Sequence, residues 1–108
     1  MNEIIAITYA KAIPDMYKEM GDRNTQARVI AQLIEYSSKG IGTRENAFKG
    51  ALYSIDSKET LEIVNKYLSE LQNAEYKTTS SNALQKYIEE EFSFSDKNKL
   101  LNYINKLK

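Results

Sequence analysis

Cysteine, histidine and tryptophan are missing from this chain, and proline occurs once. Without cysteine there is no disulfide framework and no thiolate nucleophile. Without histidine the chain lacks the commonest general base, the commonest metal ligand and the side chain best suited to sensing pH near neutrality. These absences weigh heavily against a metalloenzyme or a cysteine enzyme, and no metal or cofactor is expected. Four glycines are too few to punctuate a strand-and-turn architecture. An excess of either charge is also missing. Fifteen basic residues balance fifteen acidic ones, so no global field draws in nucleic acid or anionic lipid. Long apolar runs are absent too. The short run from Ile4 to Ile7 follows Glu3, where a signal peptide would carry lysine or arginine. No stretch approaches the roughly 20 apolar residues of a membrane span. A cytoplasmic protein with no membrane association is the default expectation.

What is present suits helices. The apolar fraction of 42% and charged fraction of 28% are those of an ordinary globular domain. Residues 1–108 are expected to form a single all-α domain, a compact array of five to six short helices. The first segment, about Glu3 to Met20, places Ile5, Tyr9, Ala12, Ile13, Met16, Tyr17 and Met20 at spacings of three and four, so these should form its inner face. Pro14 should kink or split it, and Gly21 is placed to end it. The second segment, about Thr25 to Ser38, carries Ala27, Ile30, Leu33 and Ile34, with Asn24 or Thr25 as cap. The third, about Arg44 to Ser54 with Thr43 as cap, buries Phe48, Ala51, Leu52 and Ile55. The fourth repeats Leu61, Val64, Leu68 and Leu71, and Asp56 with Glu59 stands in capping-box spacing before it. After a polar stretch from Asn73 to Ser81, the fifth segment carries Leu84, Tyr87, Ile88 and Phe92. The sixth, about Asp96 to Leu107 with Ser95 as cap, carries Leu100, Leu101, Ile104 and Leu107.

Chemistry-bearing features are few. Arg23, Arg28 and Arg44 are the only arginines and fall within or beside the second segment, with Lys39 nearby. Such rigid donor forks suit an acidic partner surface or a phosphate backbone; the plainer alternative is a solvated face with local pairs to Asp22 and Glu45. The connector Ser38–Arg44 holds two glycines before a helix start, yet it lacks the Walker spacing and any preceding strand, so a helix end and a turn explain it. Eight tyrosines mostly sit at stripe edges, where a ring and a polar tip both fit. Tyr53, Tyr76 and Tyr103 lie off the stripes and are the candidates for exposure. Glu89, Glu90 and Glu91 splay by about 100° each around a helix and cannot converge on one cation. No serine, lysine or paired-carboxylate catalytic spacing is found, and no enzyme is expected.

The end of the chain offers a second possibility. Thr79-Ser80-Ser81-Asn82-Ala83-Leu84-Gln85-Lys86-Tyr87-Ile88, followed by the Lys- and Asn-rich run from Asn98 to Leu107, resembles the second and third helices of the linker-histone winged helix. There a similar Ser-rich start leads into Ala-Leu-x-Lys-Tyr-Ile. The likeness covers about a quarter of the chain. It implies DNA binding through the last helix, with Lys97, Lys99, Asn102 and Lys106 as contacts. The chain departs from that pattern in its three glutamates and in ending at Lys108 without room for a wing.

Three functions are thus in contention. A small protein-binding module of the inhibitor, immunity or adaptor type would use a helical surface around Arg23, Arg28, Lys39, Arg44 and Tyr53, with Met16 or Met20 exposed beside it. A nucleic-acid binder would use the last two helices or the arginine-bearing segment. A self-associating subunit, a homo-oligomer, would bury a surplus apolar face. The first is the main expectation.

Overall fold

Each apolar stripe in the sequence winds into a helix, and the stripes meet. The structure, a computed structural model, describes residues 3–38, 44–71 and 82–108, and for residues 3–9 the backbone only. Six helices occupy them: α1 (Glu3–Glu19), α2 (Arg23–Ser38), α3 (Glu45–Tyr53), α4 (Lys58–Leu71), α5 (Ala83–Glu91) and α6 (Phe94–Leu107). There is no strand among the described residues. The radius of gyration is 12.7 Å, against about 13 Å for a compact chain of this length. The expected cap Thr43, the glycines beside it, Lys39, and the polar stretch with Tyr76 lie outside the described residues.

The apolar positions expected in helices two to six do meet. Ala27, Ile30 and Ile34 of α2, Phe48, Ala51 and Leu52 of α3 with Ile55 just beyond, and Leu61, Val64 and Leu68 of α4 are buried in one cluster. Leu84, Tyr87 and Ile88 of α5, Phe92, and Leu100 and Ile104 of α6 complete it. Phe48 and Phe92 pack edge to face with centroids 4.9 Å apart, which pins the α5–α6 connector to α3. Leu71 is the exception on α4. It stands in the last turn and is exposed.

The ends of the helices decide their mutual placement. α1 runs unbroken through Pro14, so the proline does not split it, and its ring is buried. Gly21 ends α1 at φ +76°, a conformation glycine takes without a Cβ clash. Its N–H donates to the Lys18 carbonyl at 3.0 Å and the Asp22 N–H donates to the Tyr17 carbonyl at 2.9 Å, the paired bonds of a Schellman ending. Asp22 then caps α2 directly, accepting the Thr25 N–H at 3.0 Å. The cap is therefore Asp22 rather than Asn24 or Thr25, because α2 begins at Arg23, four residues before the first position of its apolar stripe. Asn24 instead accepts a bond from the Tyr67 hydroxyl of α4 at 3.3 Å.

Similar shifts occur at α4 and α6. Ser57, not Asp56, caps α4, accepting the Thr60 N–H at 3.2 Å; Asp56 is drawn away to an ion pair with α1. α6 starts at Phe94, so Ser95 lies inside it and the flanking Ser93 makes no side-chain cap bond. α5 has no cap from Asn82 either. Its first turn is capped from a distance: the buried Asn65 of α4 accepts the Leu84 N–H at 2.8 Å. One turn further along α5, the wholly buried Tyr87 donates its hydroxyl to the Glu35 carboxylate of α2.

Two substitutions test these ends by urea unfolding. Asn65→Leu keeps the branched outline of the side chain but removes the acceptor and leaves the Leu84 N–H buried without its partner, so the expected loss is about 1–3 kcal/mol. Gly21→Ala adds a Cβ that meets nothing within 4 Å, so its expected cost of about 1 kcal/mol reports the backbone conformation alone. An unchanged midpoint in either variant would contradict the corresponding end structure.

Candidate functional site

Pro14 fixes which side of α1 faces inward. Pro14 is buried, and Ala10 and Tyr17, one turn either side of it, are half-buried against the rest of the fold. The opposite side carries Ala12, Ile13, Met16 and Met20, and all four are exposed. Ile13 is 53%, Met16 47% and Met20 69% accessible. The residues expected as the inner face of α1 therefore divide: Tyr17 is turned in, Ala12, Ile13, Met16 and Met20 are turned out, and the side chains of Ile5 and Tyr9 lie outside those described. α1 is apolar on two sides, and only one of them has something to pack on.

Beside the C-terminal end of this stripe lies a polar corner. Lys18 reaches from α1 to Asp56, before α4, with Nζ 2.8 Å from Oδ2. Asp56 also accepts the Thr60 hydroxyl at 3.2 Å, and the Ser57 hydroxyl donates to Thr60 Oγ1 at 3.1 Å. Burial pushes the Asp56 carboxyl up, but the Lys18 ammonium and the Thr60 hydroxyl outweigh it and hold the group below its ordinary range. Lys18 in turn is held above its usual value, chiefly by its hydrogen bond to Asp56. Open depressions of about 430 and 240 Å³ flank the pair, the first bordered by Gly21, Arg23 and Gln26 and the second by Lys11, Asp15 and Tyr53.

The arginines expected to act together are kept apart. Arg23 is exposed at the first position of α2 and borders the corner. Arg28 is five residues on, about 140° round the helix, and is exposed on the side away from the core. Hydrogen bonds from Thr25 hold the Asp22 carboxyl down, with a smaller contribution from Arg28. Arg44 lies at the far end of α2, about 20 Å from Arg23 by helical rise. Its guanidinium sits 4.3 Å above the Tyr36 ring and donates to the Tyr36 carbonyl at 3.4 Å, while its N–H donates to the Ser37 carbonyl at 2.9 Å. Arg44 is thus part of the α2–α3 junction. Lys39 lies outside the described residues.

Tyr53 and Tyr103 are not free surface rings. Both are half-buried and stack edge to face on each other at 5.1 Å. The Tyr103 hydroxyl donates to the Ile55 and Tyr53 carbonyls at 2.8 and 3.3 Å. Burial first, then the negative charge of Asp56, pushes its phenol up. Tyr53 still borders both the small depression by Lys18 and a groove of about 650 Å³ between α3 and α6.

No family model, curated protein or solved structure matches this chain. The linker-histone likeness accordingly stays local, and in this fold its Tyr87 and Ile88 are core residues and its Lys86 pairs with Glu90 at 2.9 Å. Among the described residues no helix is long and apolar enough to cross a membrane. Nor is there a group of three or more acidic side chains among them that could hold a metal ion.

Of the four expected nucleic-acid contacts, Lys99, Asn102 and Lys106 fall together on the solvent side of α6, while Lys97 is half-buried at its other edge. The lysine-rich composition of this stretch groups Lys97 with the rest; the helical turn separates it. Sequence reasoning also missed the Lys18–Asp56 pair and the exposure of Phe94. The first had no local signal. The second had one, an aromatic set between two serines just outside an apolar stripe.

The Lys18–Asp56 pair makes stability depend on pH at both ends. The lowered Asp56 contributes above the unfolded carboxylate value of about 3.9, and that contribution is lost as pH falls through its folded value. The raised Lys18 contributes below about 10.4 and that is lost as pH rises through its folded value. Asp56→Asn is expected to have a lower urea midpoint than the parent near neutrality, the gap closing toward acid and toward strong alkali. A gap independent of pH would assign Asp56 a packing role only.

Proposed function

We propose that this chain is a small non-enzymatic protein-binding module whose contact surface is the outer side of α1, from Ile13 through Met16 to Met20, continued by the polar corner at Arg23. The observation that carries this is the exposure of three large apolar side chains in successive turns of one helix. A contiguous apolar patch on a small protein marks a surface that meets something. Two of the three are methionines, whose flexible thioethers adapt to the shape of a partner. Lys18, Asp56 and Arg23 supply the polar rim that such an interface needs to orient a partner. Arg28 and Arg44 are left out of this surface by their placement, and Tyr53 touches only its edge.

The test is affinity capture from the native host with the parent and with an Ile13→Asp/Met16→Asp variant. Both positions are solvent-facing, so the variant is expected to keep its melting temperature, within about 0.5 kcal/mol of the parent, and to lose the captured protein. Identical captured sets, or none with the parent, would overturn the proposal. Sedimentation of the parent as a dimer and of the variant as a monomer would instead assign the stripe to self-association.

A further inference from the structure

The solvent side of α6 has a different chemistry from that of α1. Lys99, Asn102 and Lys106 are exposed at spacings of three and four, bordered by Ser95, Asn98 and Asn105, which are exposed as well. No carboxylate stands among these six. The one acid of the helix, Asp96, is turned toward Lys49 of α3 at 3.7 Å. Of the four lysines of α6 and its C-terminal end, Lys99 and Lys106 stand on this face, in a chain that is neutral overall. The acidic run of α5 belongs to another helix, and its Glu90 is paired with Lys86.

Phe94 heads this face. It is 85% accessible, the most exposed of the large apolar side chains described. Its φ of +51° makes it the one described non-glycine residue with positive φ, a conformation that L residues rarely adopt. The cause is the short α5–α6 connector: Phe92 turns in against Phe48, and the chain reverses within two residues to start α6. This places one aromatic ring in solvent at the head of a helix side that carries amides and two ammonium groups, Lys99 bordering the groove that Glu45 and Asp96 also line.

We propose that this face binds single-stranded nucleic acid. The Phe94 ring stacks on an unpaired base, Lys99 and Lys106 neutralise phosphates about 10 Å apart along two turns of helix, and the Asn102 amide meets a base edge. Aromatic platforms beside positive charge are the general means of holding single strands, because every base offers a flat π-face. A paired and stacked base does not offer that face, and two or three lysines are few for a duplex. This is a separate surface from α1 and does not depend on the proposal made for it.

The experiment is fluorescence anisotropy of labelled mixed-sequence single-stranded DNA, single-stranded RNA and duplex DNA with the full chain, over a range of salt concentrations. The expected result is salt-sensitive binding of single strands in preference to duplex. Phe94→Leu, which keeps an apolar side chain without an aromatic face, should weaken it roughly ten-fold or more, while Phe94→Trp should retain it. Lys99→Gln and Lys106→Gln should each flatten the salt dependence by about 0.7 in logarithmic slope. Circular dichroism of each variant checks that the fold is unchanged. Absence of binding at low salt, equal binding of duplex, or no effect of Phe94→Leu would each overturn the proposal.

Discussion

The end of α3 and the two residues that follow it present carbonyl groups that no residue further along the helix can reach, and the neighbouring helices are arranged around meeting them. The Tyr103 hydroxyl from α6 binds two of these carbonyls, at Tyr53 and Ile55. The buried Gln26 of α2 extends its amide toward the third, at Ser54, at 3.5 Å. Ser54 itself bonds back to Gly50. A carbonyl left unpaired in an apolar interior costs more than the hydrogen bond gains in water, so α2 and α6 are held in register on α3 by polar groups rather than by apolar area alone. Asn65 does the same for the first turn of α5. No buried side-chain nitrogen or oxygen among the described residues is without a partner.

Apolar periodicity made the helices and most of the core legible. Phe48, Ala51, Leu52 and Ile55, or Leu84, Tyr87, Ile88 and Phe92, needed only their spacing, because each stands on a helix with one apolar side. α1 was not legible in that way. It has two apolar sides, and spacing cannot say which one is buried; Pro14, with no N–H to donate and a ring to shelter, ends up inside while Ile13 and Met16 do not. Caps were misplaced by a residue or two where several capping side chains stand in a row, as at Asp56-Ser57. There the choice fell to Lys18, thirty-eight residues away in sequence, and no local pattern contains that information.

The functional residues were less legible than the fold for a related reason. Arg23, Arg28 and Arg44 look clustered along the sequence, but α2 is long enough to set them at opposite ends and on different sides. The lysines and asparagines of α6 looked like one set of four and became a set of three once the helix turned Lys97 aside. Linear proximity over fifteen or twenty residues says little about a shared surface on a helical protein. Spacings of three, four and seven say a great deal. The two faces singled out here, on α1 and α6, are both of that second kind.

The stripe on α1 also concentrates the oxidisable sulfur of the protein. The chain has three methionines and no cysteine, and Met16 and Met20 are both in solvent on this one helix side. Conversion of a thioether to its sulfoxide replaces a soft apolar tip with a polar one and is reversible by dedicated reductases. Because neither methionine belongs to the buried cluster, peroxide would add oxygen to both, visible by mass, while helical content stayed as it was. Redox damage would therefore strike the surface of this molecule and spare its scaffold.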